Sequence, residues 1–460
     1  MTGVEKLIEQ AMIRCFNWRS KRKTTKPSEL SGIGSRVAAD GTLTPFELNR
    51  KDRLKHLYVL GSTGSGKTNL IAQLIEEDIA RRTTVAILDL RGDLFDRVLS
   101  GLPESFELER LHMIDLRRPS SSEGINPFQC GSDPFSSALQ MHGILKSAAD
   151  SWGVQLDETL RCCLIALSFA RRSLADLPLL LTNSSFRSAI VGKTPDPNTQ
   201  AFFERFDSLS GDRQGAWILP VLNKVSPFLS HPTVRSVLSE RRPIDLRLAL
   251  DTPGSVVLCA LAADRLHGLA GTFGCLMVNA IETAVSQRVD QAEHTRNPVH
   301  LYLDEFENFQ STAFESIIAE GRRFRLGLTL SHQNLHQLDS RLRHVVTNNA
   351  ATRIYFRTGH LDAVELGREL SEHGVKRPVE SLLHLPIGEA FVLSNGGQVS
   401  RVRFRKAKRS QSSRNRATSA YAAIEARSES EHDELAPIIE KAKVKHIRKP
   451  RAAKRKESGE

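Results

Sequence analysis

Eight consecutive residues constrain this chain more than any others. GSTGSGKT (61–68) fits G-x-x-x-x-G-K-[ST], with Gly61, Gly66, Lys67 and Thr68 at the defining positions and Ser62, Thr63, Gly64 and Ser65 among them. The apolar run LKHLYVL (54–60) before it reads as a buried strand. After it, Leu70, Ile71, Leu74, Ile75 and Ile79 recur at the helical period. A glycine-rich turn between strand and helix aims successive backbone N–H groups at a phosphate, and the helix N-terminus adds partial positive charge. Lys67 is therefore expected to reach the β- and γ-phosphates of ATP, and the Thr68 hydroxyl to ligate Mg2+.

Other apolar runs extend this pattern. VAILDL (85–90) and LHMIDL (111–116) read as further buried strands, as do SVVLCAL (255–261), VHLYLDEF (299–306), LGLTLS (326–331), TRIYFR (352–357) and EAFVLS (389–394). Uninterrupted apolar strands separated by helices imply a mainly parallel central sheet covered on both faces. Between 132 and 250 the strands stop. There, residues 156–174, 202–209 and 217–229 read as helices broken by the loop GKTPDPNT (192–199). The expected architecture is α/β, with an all-helical domain inserted at 132–250 between two parts of one domain (51–131 and 251–405). A basic N-terminal segment (1–50) and a basic tail (406–460) flank it. The tail reads as disordered apart from one helix at about 418–443.

A phosphate-binding loop needs a second strand whose carboxylates hold the metal and activate water. VHLYLDEF supplies Asp304 as the metal-side acid and Glu305 as the base that polarises water. Asp89, at the end of VAILDL, is the runner-up, but it lacks an adjacent base. A general base beside the metal carboxylate points to hydrolysis, because the nucleophile is then water. On the next strand the polar end Ser331, His332, Gln333 offers a group that senses the γ-phosphate, and Gln333 is the choice. His332 and His336 have the spacing of an HExxH zinc site, but Gln333 occupies the position of its glutamate. Arg322, Arg323 and Arg325 lie between these two strands, and Arg353 and Arg357 on the one after.

Charge narrows the partners. Of 460 residues 40% are apolar and 25% charged, no apolar run approaches the ~20 residues of a membrane helix, and six cysteines contain no CxxC. The first ten residues carry no signal pattern, so a cytoplasmic protein is expected. The net charge of +11 is concentrated at the ends. Residues 401–460 hold 18 basic and 8 acidic side chains, and 11–26 hold six basic and none acidic. Such segments suit a polyanion, whether nucleic acid or an anionic lipid surface.

GSTGSGKT, LDLRGDL (88–94), INPF (125–128), NKVSPFLSHPTVRSVL (223–238), LYLDEFENF (301–309), AEGRRFRLGLTLSHQNLHQL (319–338) and TRIYFRTG (352–359) follow one another over residues 55–395. In that order they resemble conjugative coupling proteins, the DNA-transfer ATPases of type IV secretion, within the HerA/FtsK class of hexameric DNA pumps. The resemblance implies a RecA-like P-loop NTPase assembled as a homohexamer around DNA. It gives Arg322 the role of a trans-acting arginine, Gln333 that of a sensor, and the helical domain a place at one mouth of the channel. Secretion-channel or relaxosome proteins are the implied partners. Full-length coupling proteins carry N-terminal membrane helices that are not found here, so peripheral recruitment to the inner face of the membrane is expected instead of a span. Two other functions are expected as alternatives: a HerA-like repair translocase working with a nuclease, and an ATP-gated factor that delivers cargo without pumping.

Overall fold

A computed structural model describes residues 32–428, apart from 132, 150, 240–242, 310–311, 395 and 407–413. Its centre is an eleven-stranded mixed sheet ordered β2-β1-β11-β10-β9-β3-β8-β7-β4-β6-β5. β3 (Leu57–Leu60), β4 (Thr84–Asp89), β5 (Leu111–Asp115), β6 (Val256–Ala260), β7 (Val299–Asp304), β8 (Leu326–His332) and β9 (Thr352–Tyr355) run parallel. All six residues of β4 and all seven of β8 are buried, as strands covered on both faces require.

Beyond β9 the sheet turns antiparallel through β10 (Glu389–Leu393) and β11 (Val399–Phe404), then β1 (Gly34–Val37) and β2 (Leu43–Phe46). Residues 34–46 are therefore sheet, a correction to the basic segment expected over 1–50. The basic run 11–26 lies outside the described residues. β1, β2 and β11 leave no apolar run in the sequence because much of each faces solvent, as in the exposed Arg36, Leu43, Thr44 and Arg403.

One sheet face packs Leu57, Val59, Val85 and Ile87 against α1 (Lys67–Ala80) and α2 (Asp93–Gly101). The other face packs Tyr58, Leu60, Ala86 and Leu88 against the helical insertion. That insertion lies between β5 and β6, which are neighbours in the sheet, and includes α3 (Pro134–Ser147), α4 (Val154–Phe169), α5 (Pro197–Asp207) and α6 (Gly211–Ser230). α5 begins inside the stretch read as a loop. Pro197 occupies its first turn and the Asp196 carboxylate caps the Thr199 N–H at 2.9 Å, which are start signals rather than breakers. α7 (Gly268–Ser286) completes this face. With the turn after it (Gly268–Asp290) it is long and apolar enough to cross a membrane, but 67% of its most apolar window is buried inside the fold. It serves as a core helix whose small and polar residues hid it from a search for apolar runs.

A buried ion pair ties the sheet to α1. Arg53 donates to both carboxylate oxygens of Asp78 (2.8 and 2.7 Å), and the Tyr302 hydroxyl of β7 donates to Asp78 at 2.6 Å. Both charged side chains are nearly sealed from solvent, so removing one leaves the other uncompensated. Asp78→Asn should destabilise the protein by roughly 3–5 kcal/mol, read as a lowered denaturant midpoint with an unchanged slope.

The tail also differs from expectation. Beyond α8 (Ser340–Asn349) and α9 (His360–Glu372), helix α10 (Arg414–Ser428) buries Ala420, Tyr421 and Ile424 against the α1–α2 face. Arg427 bonds the Leu111 carbonyl at 2.8 Å, and Arg416 bonds that of Phe106. The helix starts before 418, and 429–443 lie outside the described residues.

Candidate nucleotide site

Parallel strands deliver their C-terminal ends to one edge of the sheet. The 61–66 turn follows β3, Asp89 ends β4, Asp304 ends β7, and Ser331 and His332 end β8 with Gln333 just beyond. β8 lies between β3 and β7, so it carries Gln333 between the glycine-rich turn and the acid pair. Thr63 donates its hydroxyl proton to Gln333 Oε1 at 2.9 Å, and Gln333 Nε2 donates to Glu305 Oε1 at 3.0 Å. Thr63 and Glu305, 242 residues apart in sequence, are joined by one glutamine side chain.

The turn itself is clamped from both sides. Ser62 donates its N–H to the Arg357 carbonyl (2.8 Å), and the Gly388 N–H donates to the Ser65 carbonyl (2.9 Å). Gly66 has φ +119°, and a Cβ there would meet the Gly388 backbone at 3.1 Å, so only glycine fits. Lys67 curls back to the carbonyls of Gly61 (2.5 Å) and Ser62 (3.3 Å). Thr68, in the first turn of α1, is exposed.

Charge crowds the opposite side. Burial holds the Asp304 carboxyl above the usual carboxylate range; the charges of Asp89 and Glu305 add to this, while the Ser331 hydrogen bond and Lys67 oppose it. Burial, helped by Glu305 and Asp304, also pushes Glu307 up to about 7. Lys67 is pulled below its ordinary value by burial, against the attraction of those acids. A divalent cation is what relieves such crowding. Half-buried acids, an exposed Thr68 and a Ser65 Oγ buried with no hydrogen-bond partner fit a magnesium nucleotide. Asp89 is also engaged by its own turn, its two oxygens accepting the N–H groups of Arg91 (3.1 Å) and Phe95 (2.9 Å).

Glu305 has φ +53°, a left-handed backbone that non-glycine residues adopt rarely and often at functional sites. Residues Gly61–Thr68, Asp304, Glu305 and Gln333 thus come together, but Arg322 does not. It precedes the N-terminal end of β8, and its charge acts on His56 at the start of β3, where burial has already lowered the imidazole to about 4. The seven residues of β8 separate it from Gln333 by roughly 20 Å. Arg323 lies beside it and stacks on Phe324. Arg353 pairs with Glu369 at 2.5 Å, and Arg357 contributes its carbonyl to the clamp. His332 is buried with Nε2 on the Tyr58 hydroxyl (2.5 Å), while His336 is exposed, so the two do not share a face.

Sequence reasoning missed Glu307, although the third acid of DEFEN was visible. It missed the Gly388 clamp because only sheet order brings β10 beside the turn. A cavity of about 390 Å3 lies elsewhere, under α10, lined by His112, Glu123, Asp245, Ser255 and Arg427 among others and by none of the site residues.

Comparison with known proteins covers both halves of this site. Residues 33–137 match the family model described as Helicase HerA, central domain. Residues 298–381 match the one described as TraM recognition site of TraD and TraG. The DNA double-strand break repair helicase HerA of Saccharolobus solfataricus is 22% identical over 371 residues, 78% of this chain and 65% of that protein. The protein of the same name from Sulfurisphaera tokodaii is 22% identical over 356 residues, 74% and 62%. The chain therefore spans somewhat under two thirds of the length of these relatives. Among solved structures, the plasmid coupling protein TrwB in complex with ADP and Mg2+ superposes with a TM-score of 0.56 at 17% identity, covering 81% of this chain and 90% of that one. VirB4 of Thermoanaerobacter pseudethanolicus gives 0.56 at 12% identity, covering 82% and 98%. The fold is the RecA-like P-loop NTPase fold with a mixed sheet and helical insertions.

Proposed function

We propose that this chain, which is similar to HerA helicases and shares the fold of TrwB-type coupling proteins, is a HerA/FtsK-like P-loop ATPase that hydrolyses ATP to move DNA. The mode is that of a coupling protein: a homohexamer pumping DNA through its ring in conjugative or mobile-element transfer. The observation that supports this reading is the Thr63–Gln333–Glu305 chain of hydrogen bonds, which joins the Glu305 carboxylate and the Gln333 amide to the 61–68 turn.

In this reading Lys67 leaves the Gly61 carbonyl to bind the β- and γ-phosphates. Thr68 and Asp304 hold Mg2+, which neutralises charge on the phosphates when bound. Glu305 takes the proton of the attacking water, while Gln333 turns its Oε1 from the Thr63 hydroxyl to an O–H of that water or its Nε2 from Glu305 to the γ-phosphate. Loss of that phosphate then changes the interface at which Arg322 of a neighbouring subunit completes the site. Contacts to DNA would be with its backbone and largely independent of sequence. Secretion-channel or relaxosome proteins are the proposed partners, with peripheral recruitment to the inner face of the membrane.

The curated relatives favour one other reading, a HerA-like repair translocase working with a nuclease. Both readings require DNA-stimulated ATPase and displacement of a protein roadblock from duplex DNA. ATP binding without DNA stimulation would overturn both in favour of a recruiter. A nuclease encoded beside the gene and co-purifying with the protein would select the repair role.

The basic end has its own test. Residues 441–456 carry nine Lys and Arg and no acid. Deleting 429–460, which spares β11 and α10, should weaken DNA binding and flatten log K against log salt by about 0.9 per lost phosphate contact. An unchanged slope would make the tail a solubilising segment.

A further inference from the structure

The LDLRGDL segment ends β4 at Asp89 and begins α2 at Asp93, leaving a turn that holds Arg91 and Gly92. Arg91 is exposed, and its Nε lies 3.9 Å from Glu305 Oε2, across the carboxylate from the oxygen that Gln333 engages. A carboxylate held on one oxygen alone can still swing about that bond. A donor on one oxygen and a cation facing the other fix its plane, and orientation of a reacting group is worth large factors in rate.

The turn carrying Arg91 is held unusually firmly for a surface loop. Asp89 accepts the Arg91 and Phe95 N–H groups. Gly92 has φ +105°, and the Arg117 guanidinium fills the space a Cβ would need. Arg117 donates to the Gly92 carbonyl (3.3 Å) and forks onto Asp96 (2.8 and 2.7 Å). Its Nε and Nη2 bond Asp115 at 2.9 and 3.0 Å. Asp115 is fully buried at the end of β5, and its second oxygen also accepts the Tyr421 hydroxyl of α10 at 2.7 Å. Arg118 covers the Tyr421 ring, 4.7 Å from its centroid.

We propose that Arg91 is a positioning residue for Glu305, and that helix α10 is a working part of the hydrolytic site, anchoring Arg91 through Tyr421, Asp115 and Arg117. The proposal rests on the reading of Glu305 as the base. Because the Arg91 side chain is largely solvated, its pairing adds little to stability. Removing it therefore separates a positioning role from a structural one.

The test uses the full chain with DNA present. It compares kcat, KM, the affinity for a fluorescent ATP analogue and the thermal midpoint of Arg91→Ala, Arg91→Lys, Tyr421→Phe and wild type. Arg91→Ala should lower kcat roughly tenfold with nucleotide affinity and midpoint unchanged, and Arg91→Lys should recover much of that loss. Tyr421→Phe should show the same split, smaller in size. Wild-type kcat in Arg91→Ala, or a fall in affinity that accounts for the loss, overturns the positioning role. A lowered midpoint in Tyr421→Phe without a change in kcat overturns the role of α10. If Glu305→Gln keeps wild-type turnover, the base assignment itself has failed. If it is slow while Arg91→Ala is not, only the present inference has failed.

Discussion

Glu305→Gln should bind ATP with near wild-type affinity and hydrolyse it at least about tenfold more slowly, because general-base contributions run to roughly 10²–10⁴. The substitution keeps the size of the side chain and leaves the left-handed backbone at this position as it is. The amide can still bond Gln333 after turning over. What it cannot do is accept a proton from water. Asp304 is left to hold the metal, so binding and chemistry are separated by a change of one atom. Turnover measured with DNA, alongside equilibrium nucleotide binding, checks both halves of this expectation. Wild-type turnover would remove Glu305 as the base, and lost binding would make it part of the nucleotide pocket instead.

The second large effect concerns Arg322. It lies the length of β8 from Gln333 within one chain, so it can reach a nucleotide only on a neighbour. Arginines supplied in trans to phosphoryl transfer are worth about 10³–10⁵ in rate. Arg322→Ala should therefore be nearly inactive although its own phosphate-binding turn is intact. Lys67→Ala should be inactive although its Arg322 is intact. Mixing the two should restore activity, since a head-to-tail ring makes about a quarter of sites in a random equal mixture fully competent. The measurement is ATPase rate against mixing ratio, with ring formation followed by sedimentation. No restoration at any ratio, with rings still forming, would argue against a trans role for Arg322 and direct attention to its neighbour Arg323.

These two experiments probe residues whose legibility in the sequence differed. The phosphate-binding turn could be read directly, because its chemistry needs glycines, a lysine and a hydroxyl at fixed spacing on contiguous backbone. The seven parallel strands were legible for a related reason: burial on both faces demands unbroken apolar runs, and β4, β7 and β8 consist of little else. Asp304 and Glu305 could be proposed because two acids ending such a run are conspicuous.

Strand order was not legible. That β8 inserts between β3 and β7, bringing Gln333 onto both Thr63 and Glu305, depends on crossover connections that leave no local mark. The clamp of Gly388 on Ser65 and the return of α10 to Asp115 arise likewise from chain segments hundreds of residues apart. The strands β1 and β2, at one end of the sheet, were hidden because exposure to solvent relaxes the apolar pattern that reveals interior strands.

By itself, then, the sequence determined which residues are chemically equipped for nucleotide work, since that depends on side-chain type and short-range spacing. Only the tertiary structure decided which of them meet, which arginine stands a strand's length from its own site, and where the tail begins. Those are matters of long-range packing, in which a residue's neighbours are chosen by the burial of the whole sheet and not by its place in the chain.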